Sequence, residues 1–190
     1  GIPVNKYYAS EIDKYAIMIT QNNFPDTIQL GDVTKWEDWD IDWSSIDLLI
    51  GGNPCVSWSV AGKQLGTEDP RGQLLFDYVN ILHHIQKHNP NVKFLVENVK
   101  MKQEFQDIFS DMLGVQPVEI NSALLSAQNR KRLYWTNWEF GQPEDKHIML
   151  KDIVHEYSKV DRDKSLCLDA NYYKGGNLKQ YYGKHRRQLA

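Results

Sequence analysis

Ser44-Ser45-Ile46-Asp47-Leu48-Leu49-Ile50-Gly51-Gly52-Asn53-Pro54-Cys55 is the stretch on which the reading of this chain turns. An apolar run of strand length ends in two glycines and then delivers a proline and a cysteine. Such a run reads as a buried strand of a parallel sheet, opening into a loop at its C-terminal edge. In open α/β sheets that edge carries ligands and reacting groups. Pro54 fixes its own φ and restricts Asn53, so the Cys55 thiol is presented from a stiffened turn. A lone cysteine is more often a small buried hydrophobe; for Cys55 the neighbours decide.

Downstream, Val56 to Pro70 is a long polar loop of the kind that moves at active sites. The spacing of Leu74, Leu75, Tyr78, Ile81, Leu82 and Ile85 predicts a helix over Arg71–His88 with one apolar face. Asn89-Pro90-Asn91 ends it, and Val92–Val96 predicts the next buried strand, closed by Glu97-Asn98. A strand–helix–strand unit of this length joins parallel neighbours. Cys55 and Glu97 are therefore expected side by side at one C-terminal rim. Gln103–Leu113 predicts a further helix stopped by Gly114, and Pro117–Ile120 a strand. Gln128, Arg130 and Arg132 then alternate, so an extended segment would project them one way. Paired surface arginines are ordinary, and they become functional only where the fold brings them to a carboxylate and a thiol.

Upstream, Lys6–Glu11 and Thr27–Leu30 predict two short strands around a helix over Asp13–Asn22. Glu11 and Asp32 each sit just past a strand end, so they share one rim; Glu11 also suits a helix start. Trp36, Trp39 and Trp43 among acids read as anchors of a surface connection. His83, His84 and His88 lie on or beside the long helix with no carboxylate or cysteine to complete a metal set.

The 190 residues suffice for one domain, or one with an appendage. No apolar run reaches membrane-spanning length, the start does not resemble a signal peptide, and Cys55 and Cys167 lack metal-ligand spacing. These features point to a reducing, cytoplasmic setting. The net charge of −3 hides an asymmetry. Residues 1–127 hold 9 Lys and Arg against 17 Asp and Glu, whereas residues 128–190 hold 13 against 8. Beyond Phe140, tyrosine pairs and the run His185-Arg186-Arg187 suit nucleic-acid contact, or a loop-rich peripheral subdomain.

With Pro54-Cys55, Glu97-Asn98-Val99 and Gln128-x-Arg130-x-Arg132 in order, the chain resembles the DNA (cytosine-5)-methyltransferases, the bacterial and prophage restriction-modification type most of all. The likeness runs from about Tyr7 to Trp138. It implies an α/β, Rossmann-like S-adenosylmethionine-dependent methyltransferase fold with a mostly parallel sheet. Residues 1–140 would be the catalytic domain, incomplete at its start, and 141–190 the beginning of a target-recognition region. The family's chemistry makes Cys55 the nucleophile on cytosine carbon 6 and Glu97 the partner of N3 and the exocyclic amine. Arg132 would hold the base carbonyl, with Arg130 completing the catalytic set. The base would be flipped from double-stranded DNA. The donor implied is S-adenosyl-L-methionine, leaving S-adenosyl-L-homocysteine, with no metal. Glu11 would bind its ribose, Ile12 pack on its adenine, Asp32 take the adenine amine, Val33 lie beside it, and Pro54 and Leu74 line the methionine side. Ser59, Lys63, Gln128 and Arg130 would meet DNA. A cognate restriction nuclease and a nucleoid-associated life in a bacterium follow from the same resemblance.

Two departures stand out. Val56 replaces the polar residue usual after Pro-Cys, which predicts altered DNA-loop contacts. The family's first strand and glycine-rich loop, which belong between the strands ending at Glu11 and at Pro54-Cys55, are not in the sequence. The family's last motifs are also absent. The expectation is therefore a fragment, stable only if something fills that gap. Two rivals stand beside it: a catalytically inactive DNA- or nucleotide-binding relative, and a cysteine hydrolase, which would need a histidine able to meet Cys55.

Overall fold

The computed structural model describes residues 3–54 and 72–167. Along them run β1 (Tyr8–Ala9), α1 (Lys14–Asn23), β2 (Ile28–Gln29), β3 (Leu48–Gly51), α2 (Leu74–His88), β4 (Lys93–Val99), α3 (Gln103–Leu113), β5 (Val118–Asn121) and β6 (Lys131–Thr136). β1 and β2 form a parallel pair, and a second sheet has the order β3-β4-β6-β5. β3 and β4 are parallel, with Gly51 opposite Val96, while β6 runs antiparallel to both β4 and β5. Three of the four strands in this sheet therefore share a direction, the mostly parallel arrangement expected of a Rossmann-like α/β fold. Among the described residues no ladder joins β1 to β3.

Periodicity accounts for the core. α2 buries Leu75, Tyr78, Val79, Ile81, Leu82 and Ile85, one helical face. β4 buries Phe94, Val96 and Asn98, the alternate residues of a strand. Each aliphatic so buried contributes about 1.5–3 kcal/mol. Trp135 of β6 is fully buried, stacks on Phe109 of α3 at 4.9 Å, and donates its indole N–H to Ser110 Oγ at 3.1 Å. Tyr78 lies across the β3–β4 pair, its hydroxyl 3.3 Å from the carbonyls of both Leu49 and Leu95. Burial pushes its phenol far above the ordinary value, so it stays a donor. Gly51 is required beneath that ring, because a Cβ there would lie 2.5 Å from it.

Ends are fixed locally. Asp13 caps α1, accepting from Tyr15 and Ala16 N–H at 2.8 and 3.0 Å. Gly114 closes α3 with φ of 69°. Asn137 stitches β6 to the start of β4 by accepting from Phe94 N–H and donating to the Val92 carbonyl. Trp36, Trp39 and Trp43 pack half-buried against the core from two short 3-10 segments, as anchors should.

One expectation of burial, that of β3, is met on a single face, and α1 also lies uncovered by the described residues. α1 has no buried residue, with Tyr15, Met18 and Ile19 all more than half exposed. β3 is covered on one side only, leaving Ile50 59% exposed. Both elements have the apolar pattern of buried ones, but no described residue lies over those faces.

Candidate functional site

The elements converge where β3 leaves the sheet. Glu97 lies inside β4 rather than past its end, and pairs across the ladder with Tyr134. Arg132 follows two places away on the same antiparallel partner, opposite Val99. In a strand pair this offset puts both side chains on one face. The Arg132 Nε lies 2.8 Å from Glu97 Oε1, with side chains 16% and 33% exposed. Arg132 also donates to its neighbour's carbonyl, that of Lys131, at 2.8 Å. The pair is held in place but open to a visiting group.

The loop that leads to Cys55 is tied to the same place. Asn98, 1% exposed, donates to the Asn53 carbonyl at 3.3 Å and accepts from Val99 N–H at 2.8 Å. Gly52 lies against the Glu97 carboxylate, where an added Cβ would come 3.8 Å from Oε2. Pro54 is half-buried at the end of this described stretch. Cys55, Val56, Ser59 and Lys63 lie outside the described residues.

A second group of carboxylates marks the β1–β2 pair. Parallel pairing brings both C-terminal ends to one edge, and Ser10 Oγ joins them by donating to the Gly31 carbonyl at 2.7 Å. Glu11 Oε1 accepts from Ile12 and Asp13 N–H at 2.8 and 2.9 Å. Asp32 Oδ1 accepts from both the N–H and the hydroxyl of Thr34 at 2.9 Å. These bonds, with Lys35 beyond them, hold the Asp32 carboxyl below its ordinary value. Each acid thus uses one oxygen on the backbone turn. Ile12 is 75% exposed, Val33 packs against the core, and Leu74 opens α2, half-buried. Asp77, in the first turn of α2, is raised by burial and by the charge of Asp32. Asp77 is not among the residues singled out from sequence, although an acid in a first helical turn is a visible sign.

The three motif residues around β6 separate. Arg132 alone is within the strand. Gln128 forms a bridge with Ser165, and the Arg130 guanidinium lies 3.3 Å from Cys167 Sγ. Gln128 and Arg130 precede the strand and meet Ser165 and Cys167 of the later segment. Among the described residues no group of His, Cys, Asp and Glu could hold a metal ion. No described helix is long and apolar enough to cross a membrane.

Comparison with known proteins gives this geometry a context. The sequence model of the C-5 cytosine-specific DNA methylases matches residues 2–166. The chain is 38% identical over 143 residues to the type II methyltransferase M1.ScrFI of Lactococcus lactis subsp. cremoris, covering 69% of this chain and 35% of that protein. It is 37% identical over 139 residues to the orphan methyltransferase M.SPRI of Bacillus phage SPR, covering 66% and 30%. A solved structure of a proposed DNA modification methyltransferase from an E. coli prophage shares 18% identity at a TM-score of 0.49, over 89% of this chain and 57% of that one. The chain spans about a third of the length of these two curated relatives.

Proposed function

Because the chain belongs to the C-5 cytosine-specific DNA methylase family, we propose that it carries the chemistry of methyl transfer to cytosine carbon 5 in double-stranded DNA. The observation that supports this reading most is the Glu97–Arg132 pair, 2.8 Å apart, beside the loop that delivers Cys55. Cytosine carbon 5 is a weak nucleophile. Addition of the Cys55 thiolate to carbon 6 turns the ring into an enamine that can take a methyl group. Glu97 holds N3 and the exocyclic amine, sharing a proton with N3 as negative charge builds on the ring. Arg132 turns part of its guanidinium from Glu97 to the base carbonyl, and so orients both partners of the addition. Loss of the carbon 5 proton and departure of the Cys55 sulfur then restore the ring. The base reaches these groups only when flipped from the duplex.

S-adenosylmethionine, when bound, supplies the electrophilic methyl group. The rim of β1 and β2 fits its nucleoside: Glu11 and Asp32 each direct one oxygen to a turn, leaving the other for a ribose hydroxyl and an adenine amine. Ile12, exposed, offers an apolar surface for the adenine ring, with Val33 nearby, and Pro54 and Leu74 bound the methionine side. Ser59, Lys63, Gln128 and Arg130 are the DNA contacts of this reading. Residues 1–140 are its catalytic part and 141–190 begin its target-reading part. A bacterial or phage-encoded cytoplasmic protein working on nucleoid DNA, beside a cognate nuclease, completes it.

The second reading is a chain that binds DNA or nucleotide without turnover. Transfer of labelled methyl from S-adenosylmethionine to unmethylated duplex separates the two. Label at cytosine carbon 5, lost in Cys55→Ala, is the expected result. Duplex binding with no label transferred would replace the first reading with the second.

A further inference from the structure

Residues 121–130, between β5 and β6, form a loop closed on itself. Asn121 Oδ1 accepts from Ala123 and Arg130 N–H at 3.1 and 3.0 Å, and Ser122 N–H donates to the Arg130 carbonyl at 3.1 Å. Ser122 Oγ donates to the Gln128 carbonyl and Ser126 Oγ to the Ser122 carbonyl, each at 2.9 Å. The later segment 146–167 is laid against this loop. Lys146 N–H donates to the Leu124 carbonyl at 2.7 Å, Ser165 N–H to the Ala127 carbonyl at 2.7 Å, and Asn129 N–H to the Ser165 carbonyl at 2.9 Å.

Lys164 joins the two. Its ε-ammonium lies 2.7 Å from the Ala123 carbonyl, 3.1 Å from that of Ser126 and 2.6 Å from that of Ile148. An ammonium has three protons, and at Lys164 each has a backbone carbonyl. Two of these belong to the loop and one to the overlying segment, so the charge binds both at once. Hydrogen bonds from a charged donor are the strong kind. They are spent one position before the Ser165–Gln128 bridge and three before Cys167, which lies against Arg130.

We propose that Lys164 is a positioning residue. By holding three carbonyls it locks segment 146–167 onto loop 121–130, and so sets where Gln128 and Arg130 stand relative to Arg132. The inference rests on the reading of Arg130 and Arg132 as base- and DNA-handling groups, but its structural half can be measured apart from that reading. Lysine is usually a flexible point charge at a DNA surface. An ammonium enclosed by carbonyls is committed elsewhere.

The test uses the full chain and its Lys164→Met and Lys164→Arg variants. Amide hydrogen exchange at Asn129 and Ser165 should quicken about tenfold or more in Lys164→Met, in line with the loss of charge-assisted bonds. Exchange at Phe94 and Trp135 should stay unchanged, which shows that the fold is retained. Lys164→Arg keeps the charge, but its planar fork does not match three carbonyls around one nitrogen. Recovery in exchange should therefore be partial. In methyl transfer by Lys164→Met, the KM for duplex should rise by a larger factor than kcat falls, with both partly restored in Lys164→Arg. Unchanged exchange at Asn129 and Ser165 in Lys164→Met overturns the proposal. So does full restoration of KM by Lys164→Arg, the mark of a simple phosphate contact. A wild-type chain with no methyl transfer would defeat the proposed function, while the exchange result would still decide the role of Lys164.

Discussion

The two sheets of this molecule were written in the same sequence idiom and came out differently. β1, α1 and β2 place a helix between two apolar strand segments, as do β3, α2 and β4. The second unit buries one whole face of its helix, whereas the first buries none of its helix. Helical turns are local, and a helix and a parallel ladder form in both units. Burial needs a surface on the other side, and among the described residues only the second unit has one, from β4, β6, α3 and the tryptophans Trp36, Trp39 and Trp43. Local rules make elements, but non-local contact makes a core.

The largest effect that could break this contrast comes from paired truncations. Trp135→Ala should cost about 3–5 kcal/mol, since a fully buried ring and its Ser110 bond are both lost. Ile19→Ala, on the exposed face of α1, should stay within about 0.5 kcal/mol. Chemical denaturation of both variants measures the gap. Equal costs would mean that the face of α1 is covered in solution.

Gly51→Ala sharpens the comparison from inside the well-packed half. The new methyl meets the Tyr78 ring at 2.5 Å, and over-packing of this kind costs about 1–3 kcal/mol. A neutral result in the same assay would show that Tyr78 can leave the β3–β4 pair without penalty.

The smallest effect is electrostatic. A hydrogen bond from Lys100, opposed by desolvation and joined by the Lys100 charge and by Lys131, lowers the Glu119 carboxyl below its ordinary 4.5. The folded state therefore binds this proton less readily than the unfolded chain. The group's contribution to stability is full above the ordinary carboxyl value and is lost as pH falls through the lowered one. Both ion pairs are largely exposed, so Glu119→Gln should only flatten the acid limb of the stability profile slightly. A steeper limb in the variant would mean that the folded state holds this proton more tightly, the opposite linkage.

What the sequence disclosed follows the same division. The end of α3 was legible to the residue, because Gly114 is a backbone signal in its own right. The side-by-side exit of β3 and β4 was legible from apolar runs and crossover length, and the ladder from Leu48 and Lys93 to Gly51 and Val96 has that direction. The exposure of Ile50 was not legible, because an apolar strand reads the same whether one face is covered or two. Alternation groups Arg130 with Arg132, but the meeting of the Arg130 guanidinium with Cys167 joins residues 37 apart in sequence, which no local pattern signals. Lys164 had no signature at all. Its partners are main-chain carbonyls, which every residue has.

Asn98 carries a consequence of another kind. Its amide is buried, with the nitrogen turned toward the Asn53 carbonyl and the oxygen toward Val99 N–H. Aspartate has the same outline but no proton to give when ionised, so it would face the Asn53 carbonyl with like polarity. Shape alone therefore does not specify how the loop before Pro54-Cys55 meets the strand bearing Glu97. The two are matched by a donor–acceptor code, read inside the protein much as one base reads another across a duplex.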